Sequence, residues 1–279
     1  MRRIVYCLFA CCLLLIAGCS LNNVSEDPSL KKYFDDNKVT GCFAIMDNGT
    51  GQFTVHNLPR YFDSSYMPAS TFKIVNSLIG LQTGKISNDS MVIKWDSVKR
   101  WNDDWNKDLT MYEAFRVSAL PYYQEVARRI GKDTMEHWLT LIGYGAKKKD
   151  EAITIKSPID SFWLDGSLKI TPDQQLGLVK DLYFDQLPFF KINQEMVKRA
   201  MLFENEANYR LAYKTGWSGW IEKEQRHIGW VVGWIEENNH PYFFVLNIES
   251  HDKNFEMWTV RRQMLKDILK HLGFFEGKK

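Results

Sequence analysis

The sequence predicts an α+β fold, in which an antiparallel sheet is flanked by helices and interrupted by an inserted, mostly helical region. Residues with strand-forming character and alternating apolar spacing cluster near the two ends of the chain. From Ser70 to about Leu187, the apolar residues recur instead with the spacing of helices. Because strands and helices do not alternate, a parallel sheet of βαβ units is disfavoured. No internal repeat or second core is visible, so a single domain is expected.

The first residues predict export. Met1-Arg2-Arg3 is basic and residues 4–17 are apolar or small, which is typical of a secretory signal and short for a membrane span. The segment ends in Ile16-Ala17-Gly18-Cys19, which looks like a bacterial lipoprotein box. We therefore expect residues 1–18 to be a lipoprotein-type signal peptide, and the protein to be periplasmic and anchored to the membrane by lipidation of Cys19. The alternative is an ordinary cleaved signal followed by an incidental cysteine.

Residues 19–35 are polar and predict a tether, which leaves residues 36–279 as the single folded domain. Loss of the signal would remove Arg2 and Arg3 and leave equal numbers of basic and acidic residues. The mature chain would then be about neutral, which argues against nucleic acid as a partner. With Cys19 lipidated, Cys42 is alone after removal of the signal, so no intramolecular disulfide is expected.

The elements of the folded domain follow from local patterns. Residues 40–46 and 52–56 predict a hairpin whose turn contains Asn48-Gly49, a pair that favours tight turns. Further strands are predicted at 209–215, 228–235 and 241–248, and helices at 121–131, 133–141 and 172–184. A final amphipathic helix is predicted from about residue 255 to residue 272, and the buried stripe assigned to it contains Trp258, Leu265, Ile268, Leu269 and Leu272.

Another helix is predicted to begin at Ser70, because residues 72–81 are apolar on nearly every side. Its start carries Ser70-Thr71-Phe72-Lys73, in which a hydroxyl and an amine lie one turn apart on the same face. The same spacing also occurs at Ser29 and Ser250, in polar or loop-like surroundings, so only Ser70 has a suitable context. Taken alone, the pattern is explained as well by a capping serine and a lysine that extends towards solvent.

Two further motifs favour a chemical role for Ser70 and Lys73. Ser118-Ala119-Leu120 supplies a second hydroxyl, and Lys214-Thr215-Gly216, on a predicted strand, supplies a cation and a third hydroxyl. Together these groups could open a strained cyclic amide and hold its carboxylate. A serine nucleophile needs a base, and the six histidines lie outside every motif and show no zinc-binding spacing. A metal site is therefore not expected, and Lys73 must transfer the protons, as a neutral amine whose pKa is lowered by burial.

These residues resemble a known family, the class D (oxacillinase-type) serine β-lactamases. The resemblance runs from about residue 40 to the C-terminus, and its motifs are Pro68-Ala69-Ser70-Thr71-Phe72-Lys73, Tyr144-Gly145, Phe162-Trp163-Leu164-Asp165-Gly166, Lys214-Thr215-Gly216 and Ile228-Gly229-Trp230-Val231-Val232-Gly233-Trp234. It implies a penicillin-recognising serine transpeptidase-like fold and an enzyme that gives antibiotic resistance by hydrolysing penicillin-type β-lactams. Two positions differ from the family pattern: Leu120 stands for Val or Ile, and Ala146 stands for an asparagine that orders a loop. Neither change removes a catalytic group.

The resemblance implies four catalytic residues. Ser70 would form an acyl-enzyme, and carbon dioxide or bicarbonate would carboxylate Lys73 to N6-carboxylysine, the general base for both acylation and deacylation. Trp163 would donate its indole N–H to that carboxylate, since the indole nitrogen is a donor only; without the resemblance, a core role would fit it as well. Ser118 would lie near Lys73 and relay a proton to the leaving nitrogen. No other cofactor is implied.

The substrate-binding residues follow from the same resemblance. Lys214 would contribute positive potential, Thr215 a hydroxyl for the substrate carboxylate, and Gly216 space for the ligand to approach the strand. The backbone N–H of Trp217, with that of Ser70, would form the oxyanion hole.

Arg261 would bind the substrate carboxylate with its planar fork, and its neighbour Arg262 is the alternative. The expected partner is thus a small-molecule β-lactam, with no nucleic acid, membrane contact only through the lipid anchor, and a monomeric or homodimeric state.

Two other functions share some of these motifs. The D,D-peptidases that act on cell-wall peptides carry Ser-x-x-Lys and Lys-Thr-Gly but lack Trp163-Leu164-Asp165-Gly166 in that context. A non-catalytic sensor would be acylated by the drug and would stay acylated. Such sensor domains usually hang from several membrane helices, and this sequence has no apolar segment after residue 18 that is long enough to span a membrane.

Overall fold

The structure is a computed structural model and describes residues 23–279. The predicted signal peptide and Cys19 lie outside these residues. Within them, no helix combines the length and apolar character needed to cross a membrane.

Seven strands form one main sheet, and two short strands pair separately. The strands are β1 (Val24–Glu26), β2 (Thr40–Asp47), β3 (Phe53–His56), β4 (Val92–Ile93), β5 (Leu109–Thr110), β6 (Leu202–Asn205), β7 (Arg210–Ile221), β8 (Arg226–Glu237) and β9 (His240–Ser250). In the main sheet the order is β1-β3-β2-β9-β8-β7-β6, and β4 pairs with β5. All neighbours in the main sheet are antiparallel except β1 and β3, which are parallel. The predicted antiparallel sheet is therefore confirmed with one parallel edge strand added.

Nine α-helices surround the sheet in the described part of the chain. They are α1 (Lys31–Asp36), α2 (Leu58–Asp63), α3 (Lys73–Gln82), α4 (Met111–Arg116), α5 (Leu120–Ile130), α6 (Lys132–Leu141), α7 (Pro172–Tyr183), α8 (Lys191–Met201) and α9 (Met257–His271). Short 3₁₀ turns occupy Pro28–Leu30, Ala69–Phe72 and Asp103–Trp105. Helices α3 to α8 lie between β3 and β6 in the chain, so the predicted helical insertion is confirmed.

The sheet separates two hydrophobic cores. The larger core packs one face of the sheet against the helical insertion and contains Phe72, Leu78, Trp163, Trp230 and Val245. The smaller core packs the other face against α9 and the N-terminal segment. Successive residues of a strand point to opposite faces, so each core strand contributes to both layers. This arrangement lets one strand carry side chains into two different environments.

The C-terminal helix differs in one detail from its sequence prediction. Leu265, Ile268 and Leu269 are buried as predicted, and Leu272 is half-buried. Trp258 is 37% exposed, so its prediction as a buried residue is wrong. Its indole lies beside the guanidinium groups of Arg261 and Arg262, with ring-centroid distances of 5.2 and 5.7 Å. A cation against an aromatic face needs less burial than an apolar contact, which explains how a tryptophan is accommodated at the helix surface.

The prediction of residues 19–35 as a tether is wrong for the part that the structure describes. Strand β1 pairs with β3, and α1 follows directly after a 3₁₀ turn. Leu30 is fully buried and Phe34 is 3% exposed, and the Phe34 ring lies 4.3 Å from the ring of His56. The signal in the sequence is weak here. Leu30 and Phe34 are spaced four apart in a polar stretch, and two apolar residues are too few to define the apolar face of a helix.

We predict that Phe34→Ala lowers the free energy of unfolding by about 3 kcal/mol, because it leaves a cavity beneath the sheet. Urea unfolding at neutral pH would measure the loss. The exposed neighbour Asp36 provides a control, and Asp36→Ala should change stability by less than about 0.5 kcal/mol. Equal, small effects of the two variants would show that this segment behaves as a tether in solution.

Candidate active site

Ser70 lies in the 3₁₀ turn Ala69–Phe72 that precedes α3, so it is presented at the start of a buried helix. Ala69 adopts a φ of +49°, a left-handed conformation that alanine rarely takes. Its N–H donates to the carbonyl of Trp163 at 3.1 Å, which holds the turn against a distant loop. Backbone strain of this kind persists only where the surrounding contacts enforce it, and it is often found at functional sites.

Lys73 begins α3, and its Nζ donates to Ser70 Oγ at 2.8 Å. The predicted contact between these two side chains is therefore present. Lys73 is 1% exposed, and burial lowers the pKa of its ammonium to about 7. A substantial fraction of Lys73 is thus a neutral amine near neutral pH, and a neutral amine can accept the proton of the serine hydroxyl.

Ser118 contacts a second buried lysine. Lys214 Nζ donates to Ser118 Oγ at 3.0 Å and to the carbonyl of Thr215 at 3.1 Å. The sequence placed Ser118 beside Lys73, whereas its hydrogen-bond partner is Lys214. Burial, with repulsion from Lys73, Arg261 and Arg116, holds the pKa of Lys214 well below its ordinary value. The two lysines therefore act on one another electrostatically, and Ser118 lies on the Lys214 side.

Arg261 approaches the same strand from the other face of the sheet. It is 2% exposed, and its Nη2 lies 3.4 Å from Thr215 Oγ1. Its Nε and Nη1 atoms are buried and have no hydrogen-bond partner among residues 23–279. Burial, with repulsion from Arg262, lowers the pKa of Arg261 to about 9. The structure thus favours Arg261 over its neighbour as the buried cation of the site.

The site holds three buried cationic side chains, Lys73, Lys214 and Arg261, and none of them forms a salt bridge with a carboxylate in the part of the chain described. Uncompensated buried charge is costly, so such groups either lose protons or bind an anion. The donors left unpaired on Arg261 and the hydroxyl of Thr215 suit a carboxylate. Phe115 and Tyr123 form apolar walls here, with ring centroids 5.5 Å from the Nζ atoms of Lys214 and Lys73.

Gly216 makes room for the nucleophile turn. A Cβ at this position would lie 2.9 Å from the carbonyl oxygen of Pro68 and 3.1 Å from Thr71 Cγ2. The sequence assigned this glycine to the approach of a ligand, and the structure assigns it to the approach of the turn that carries Ser70. Trp230, which pairs with Gly216 in the sheet, donates its indole N–H to the carbonyl of Met67 at 2.9 Å. The close approach at Gly216 and the hydrogen bond from Trp230 thus both hold the sheet against the turn that carries Ser70.

Trp163 is fully buried and stacks on Phe72, with ring centroids 5.2 Å apart and planes at 21°. Its Nε1 has no hydrogen-bond partner within the described chain. A buried donor without an acceptor is rare and calls for a partner that the protein itself does not supply. Lys73, which is 1% exposed and follows Phe72 in the chain, is a buried amine that could supply an anionic acceptor for this donor after carboxylation. The residues present therefore suit a carboxylated lysine.

Trp217 directs its side chain to the face that carries α9, where its Nε1 donates to Nδ1 of His227 at 3.1 Å. His227 is buried, and sequence reasoning missed it because it lies outside every motif. Only the strand pairing, in which His227 lies opposite Trp220, brings it beside the Lys-Thr-Gly segment. No group of three or more His, Cys, Asp or Glu residues between positions 23 and 279 is arranged to hold a metal ion.

Comparison with known proteins agrees with this geometry. Residues 41–270 match the penicillin-binding protein transpeptidase domain. The chain is 35% identical over 272 residues to β-lactamase OXA-10 of Pseudomonas aeruginosa, covering 98% of each sequence. A class D β-lactamase structure from Sebaldella termitidis superimposes with a TM-score of 0.81 at 32% identity, covering 90% of this chain and 97% of that one. The regulatory protein BlaR1 of Bacillus licheniformis is 30% identical over 221 residues, which are 79% of this chain and 35% of that protein.

The lowered pKa of Lys73 leads to a prediction for stability against pH. Because the folded-state pKa of about 7 lies below the ordinary 10.5, the unfolded chain binds more protons at Lys73 between these values. The free energy of unfolding should therefore rise with pH through this window, and Lys73 should destabilise the fold most fully below pH 7. Lys73→Met should remove a rise on the order of 5 kcal/mol.

Urea unfolding of both proteins in carbonate-free buffer at each end of the window would measure this difference. Lys214 remains in both proteins, and the loss of repulsion from Lys73 in the variant raises its pKa, so the measured difference includes that smaller coupled change. Lys132, which is exposed at the start of α6, provides the control, and Lys132→Met should leave the pH dependence unchanged. Parallel pH profiles for the wild type and Lys73→Met would contradict the lowered pKa.

Proposed function

The chain belongs to the class D β-lactamases, serine hydrolases of β-lactam antibiotics, and we propose that it hydrolyses penicillin-type β-lactams through an acyl-enzyme on Ser70 with a carboxylated Lys73 as general base. One observation carries the proposal: a buried lysine with a pKa lowered to about 7 donates to the nucleophilic hydroxyl at 2.8 Å. Membership of the family supports hydrolysis of β-lactams and resistance to them.

The base is proposed from the two unusual features of the Lys73 pocket. The neutral amine that burial makes available is the form that reacts with carbon dioxide, and the reaction gives a carbamate and releases one proton. Carboxylation would supply an anionic base beside Ser70. Trp163 Nε1, unpaired among residues 23–279, would donate to the carboxylate and hold it in place.

Acylation and deacylation use the same residues in this proposal. Ser70 Oγ gives its proton to the Lys73 side chain and attacks the lactam carbonyl, and the C–N bond of the ring then breaks. The Lys73 side chain passes that proton to Ser118, which is bonded to Lys214 and gives its own hydroxyl proton to the leaving nitrogen, so that the base is free to act again. In the second half, the Lys73 side chain accepts a proton from water, which attacks the ester on Ser70. The ester C–O bond then breaks, and Ser70 Oγ takes that proton back from the Lys73 side chain. The backbone N–H groups of Ser70 and Trp217 stabilise the oxyanion in both halves, an interaction worth roughly 100-fold or more in rate for each donor.

Substrate recognition is proposed to rest on the buried positive charge. A β-lactam of the penicillin type carries a carboxylate next to the ring. Thr215 would donate its hydroxyl to this group, and Arg261 would supply the N–H donors that no described protein group accepts. Lys214 adds positive potential from the other face of the strand. An anion bound here would reduce the repulsion among the cations, so substrate binding and charge compensation coincide.

The similarity to a regulatory protein makes a sensor the second candidate. A sensor domain would share the acylation chemistry and lack deacylation, so the two functions differ in turnover and not in binding. The unpaired Trp163 donor and the lowered pKa of Lys73 favour the hydrolase, because both provide for a base that acts again after acylation. We further propose that the chain is exported and anchored through Cys19, on the sequence of its first nineteen residues.

We predict that the purified protein turns over a chromogenic cephalosporin many times per molecule. Lys73→Ala should fold normally and lose turnover, because among residues 23–279 Lys73 is the base hydrogen-bonded to Ser70. Carbon dioxide depletion after mild acid treatment should inactivate the wild type, since carbamates lose carbon dioxide when protonated, and added bicarbonate should restore activity.

Absorbance kinetics with and without bicarbonate would measure both effects. A single stoichiometric burst would identify the sensor instead. Full activity in the absence of carbon dioxide, or substantial turnover by Lys73→Ala, would refute the carboxylated base.

Trp163→Phe removes the indole donor while it keeps an aromatic ring on Phe72. We expect a higher bicarbonate requirement and slower deacylation than acylation, because the base must be regenerated without its hydrogen bond. Intact-mass kinetics should then show accumulated acyl-enzyme. Trp234, a buried tryptophan packed on Tyr183, provides the matched control, and Trp234→Phe should show neither effect. The role of Trp163 would be excluded by an unchanged bicarbonate response.

A further inference from the structure

His227 holds the side chain of Trp217, whose backbone N–H is one of the two proposed oxyanion donors. We propose that His227 is a positioning residue that orients this N–H through its hydrogen bond to the Trp217 indole. The inference rests on the proposed function, because it concerns the same oxyanion hole. It adds a residue that no motif of the sequence contains.

The hydrogen bonds of His227 define its protonation. Trp217 Nε1 can only donate, so Nδ1 of His227 must accept in the 3.1 Å contact between them. A neutral imidazole then carries its proton on Nε2, which donates to the carbonyl of Lys253 at 3.1 Å. His227 therefore joins the end of the Lys-Thr-Gly strand to the loop between β9 and α9. Both ring nitrogens are used, and each has one specific role.

Trp217 needs this support because the regular strand pairing stops beside it. Trp217 pairs with Gly229 and Trp220 pairs with His227, so two residues of β7, Ser218 and Gly219, lie opposite one residue of β8. Such a bulge interrupts the ladder and changes the direction of the strand. Gly219 has a φ of +71°, which fits the bend. The backbone at Trp217 is thus fixed by ladder bonds on one side only.

Side-chain contacts replace the interrupted ladder. Ser218 Oγ accepts from the N–H of residue 228 at 2.9 Å. The His227 ring lies between two indoles, with centroids 5.7 Å from Trp217 and 5.0 Å from Trp220. A Cβ on Gly229 would lie 2.2 Å from the sulfur of Met257, the first residue of α9. The start of α9, whose later residue Arg261 reaches Thr215, therefore packs directly on the strand pair that contains Trp217.

Two nearly isosteric variants separate the two hydrogen bonds of His227. His227→Asn places an amide oxygen close to the position of Nδ1, so it can still accept from the Trp217 indole. His227→Gln places an amide nitrogen close to the position of Nε2, so it retains the donor to Lys253 and loses the acceptor for Trp217. If the contact with Trp217 positions the oxyanion donor, Asn should preserve function and Gln should not.

The test compares catalysis with the binding of a tetrahedral analogue. For His227→Gln we expect kcat/KM for benzylpenicillin to fall about tenfold, less than the loss of a whole oxyanion donor, with kcat falling more than KM rises. The inhibition constant of phenylboronic acid, whose adduct on Ser70 directs an oxygen into the oxyanion hole, should rise by a similar factor. His227→Asn should stay close to the wild type in both measurements. In a Trp217→Phe background, which lacks the indole donor, His227→Gln should have no added effect.

Active-site titration corrects each value for the fraction of folded enzyme, so a purely structural role would lower that fraction without changing the boronate constant. An unchanged boronate constant in His227→Gln, equal losses in Asn and Gln, or an undiminished effect in the Trp217→Phe background would each overturn the positioning role. Failure of the proposed function looks different: the wild type itself would neither form an acyl-enzyme on Ser70 nor turn over benzylpenicillin.

Discussion

Burial of the Lys73 amine without an acidic partner is the constraint on which the site depends. A buried ammonium next to a second buried lysine and a buried arginine is unfavourable, and no carboxylate from the described chain compensates it. The fold contains two large hydrophobic cores, whose burial of apolar surface offsets this cost. Its chemical consequence is a lysine that loses its proton near neutral pH. The same excess of positive charge makes the site receptive to anions, both to a carboxylate formed on Lys73 and to the carboxylate of a substrate.

Strand β7 distributes these groups by its pleat. Lys214 reaches Ser118 on the side of the helical insertion, and Thr215 contacts Arg261 on the side of α9. Gly216, back on the first side, leaves the space that the nucleophile turn occupies. In the proposed mechanism, consecutive residues would thus serve proton transfer on one face and carboxylate binding on the other without competing for room. A shift of one residue in the register of this strand would exchange the two sets and destroy both.

The sequence predicted the parts of the site that depend on local spacing. The contact of Ser70 with Lys73 follows from one turn of helix, and the helical insertion follows from its apolar period. It could not predict contacts that need the pairing of distant segments, such as Ser118 with Lys214 or Trp217 with His227. The sequence also failed to predict that residues 24–36 fold as part of the domain, because Phe34 is buried only against strands that come later in the chain.

Ala146 stands where the family has an asparagine, and a contact from a distant residue takes over the role expected of that missing side chain. The sequence suggested a less ordered loop, since the usual amide is absent at this position. In the structure, Gln174 donates its Nε2 to the carbonyl of Ala146 at 2.6 Å and also completes the capping box at the start of α7. The loop is therefore attached to a helix terminus through its backbone. A backbone carbonyl is available at every position, so the anchoring can survive loss of the amide.

The two halves of the site are held by different forces. Trp163 is packed inside the larger core, and the buried Lys73 side chain lies against Tyr123 of that core, so displacement of either would require a cavity to open. Trp217 lies at the edge of a strand bulge and depends on a chain of two hydrogen bonds through His227 to Lys253. Packing resists movement in all directions, whereas a hydrogen bond mainly restricts movement along the line between donor and acceptor. Lys73, the proposed base, therefore has little freedom to move, and we expect adjustment to substrates of different shape to occur mainly at Trp217, which the loop between β7 and β8 adjoins.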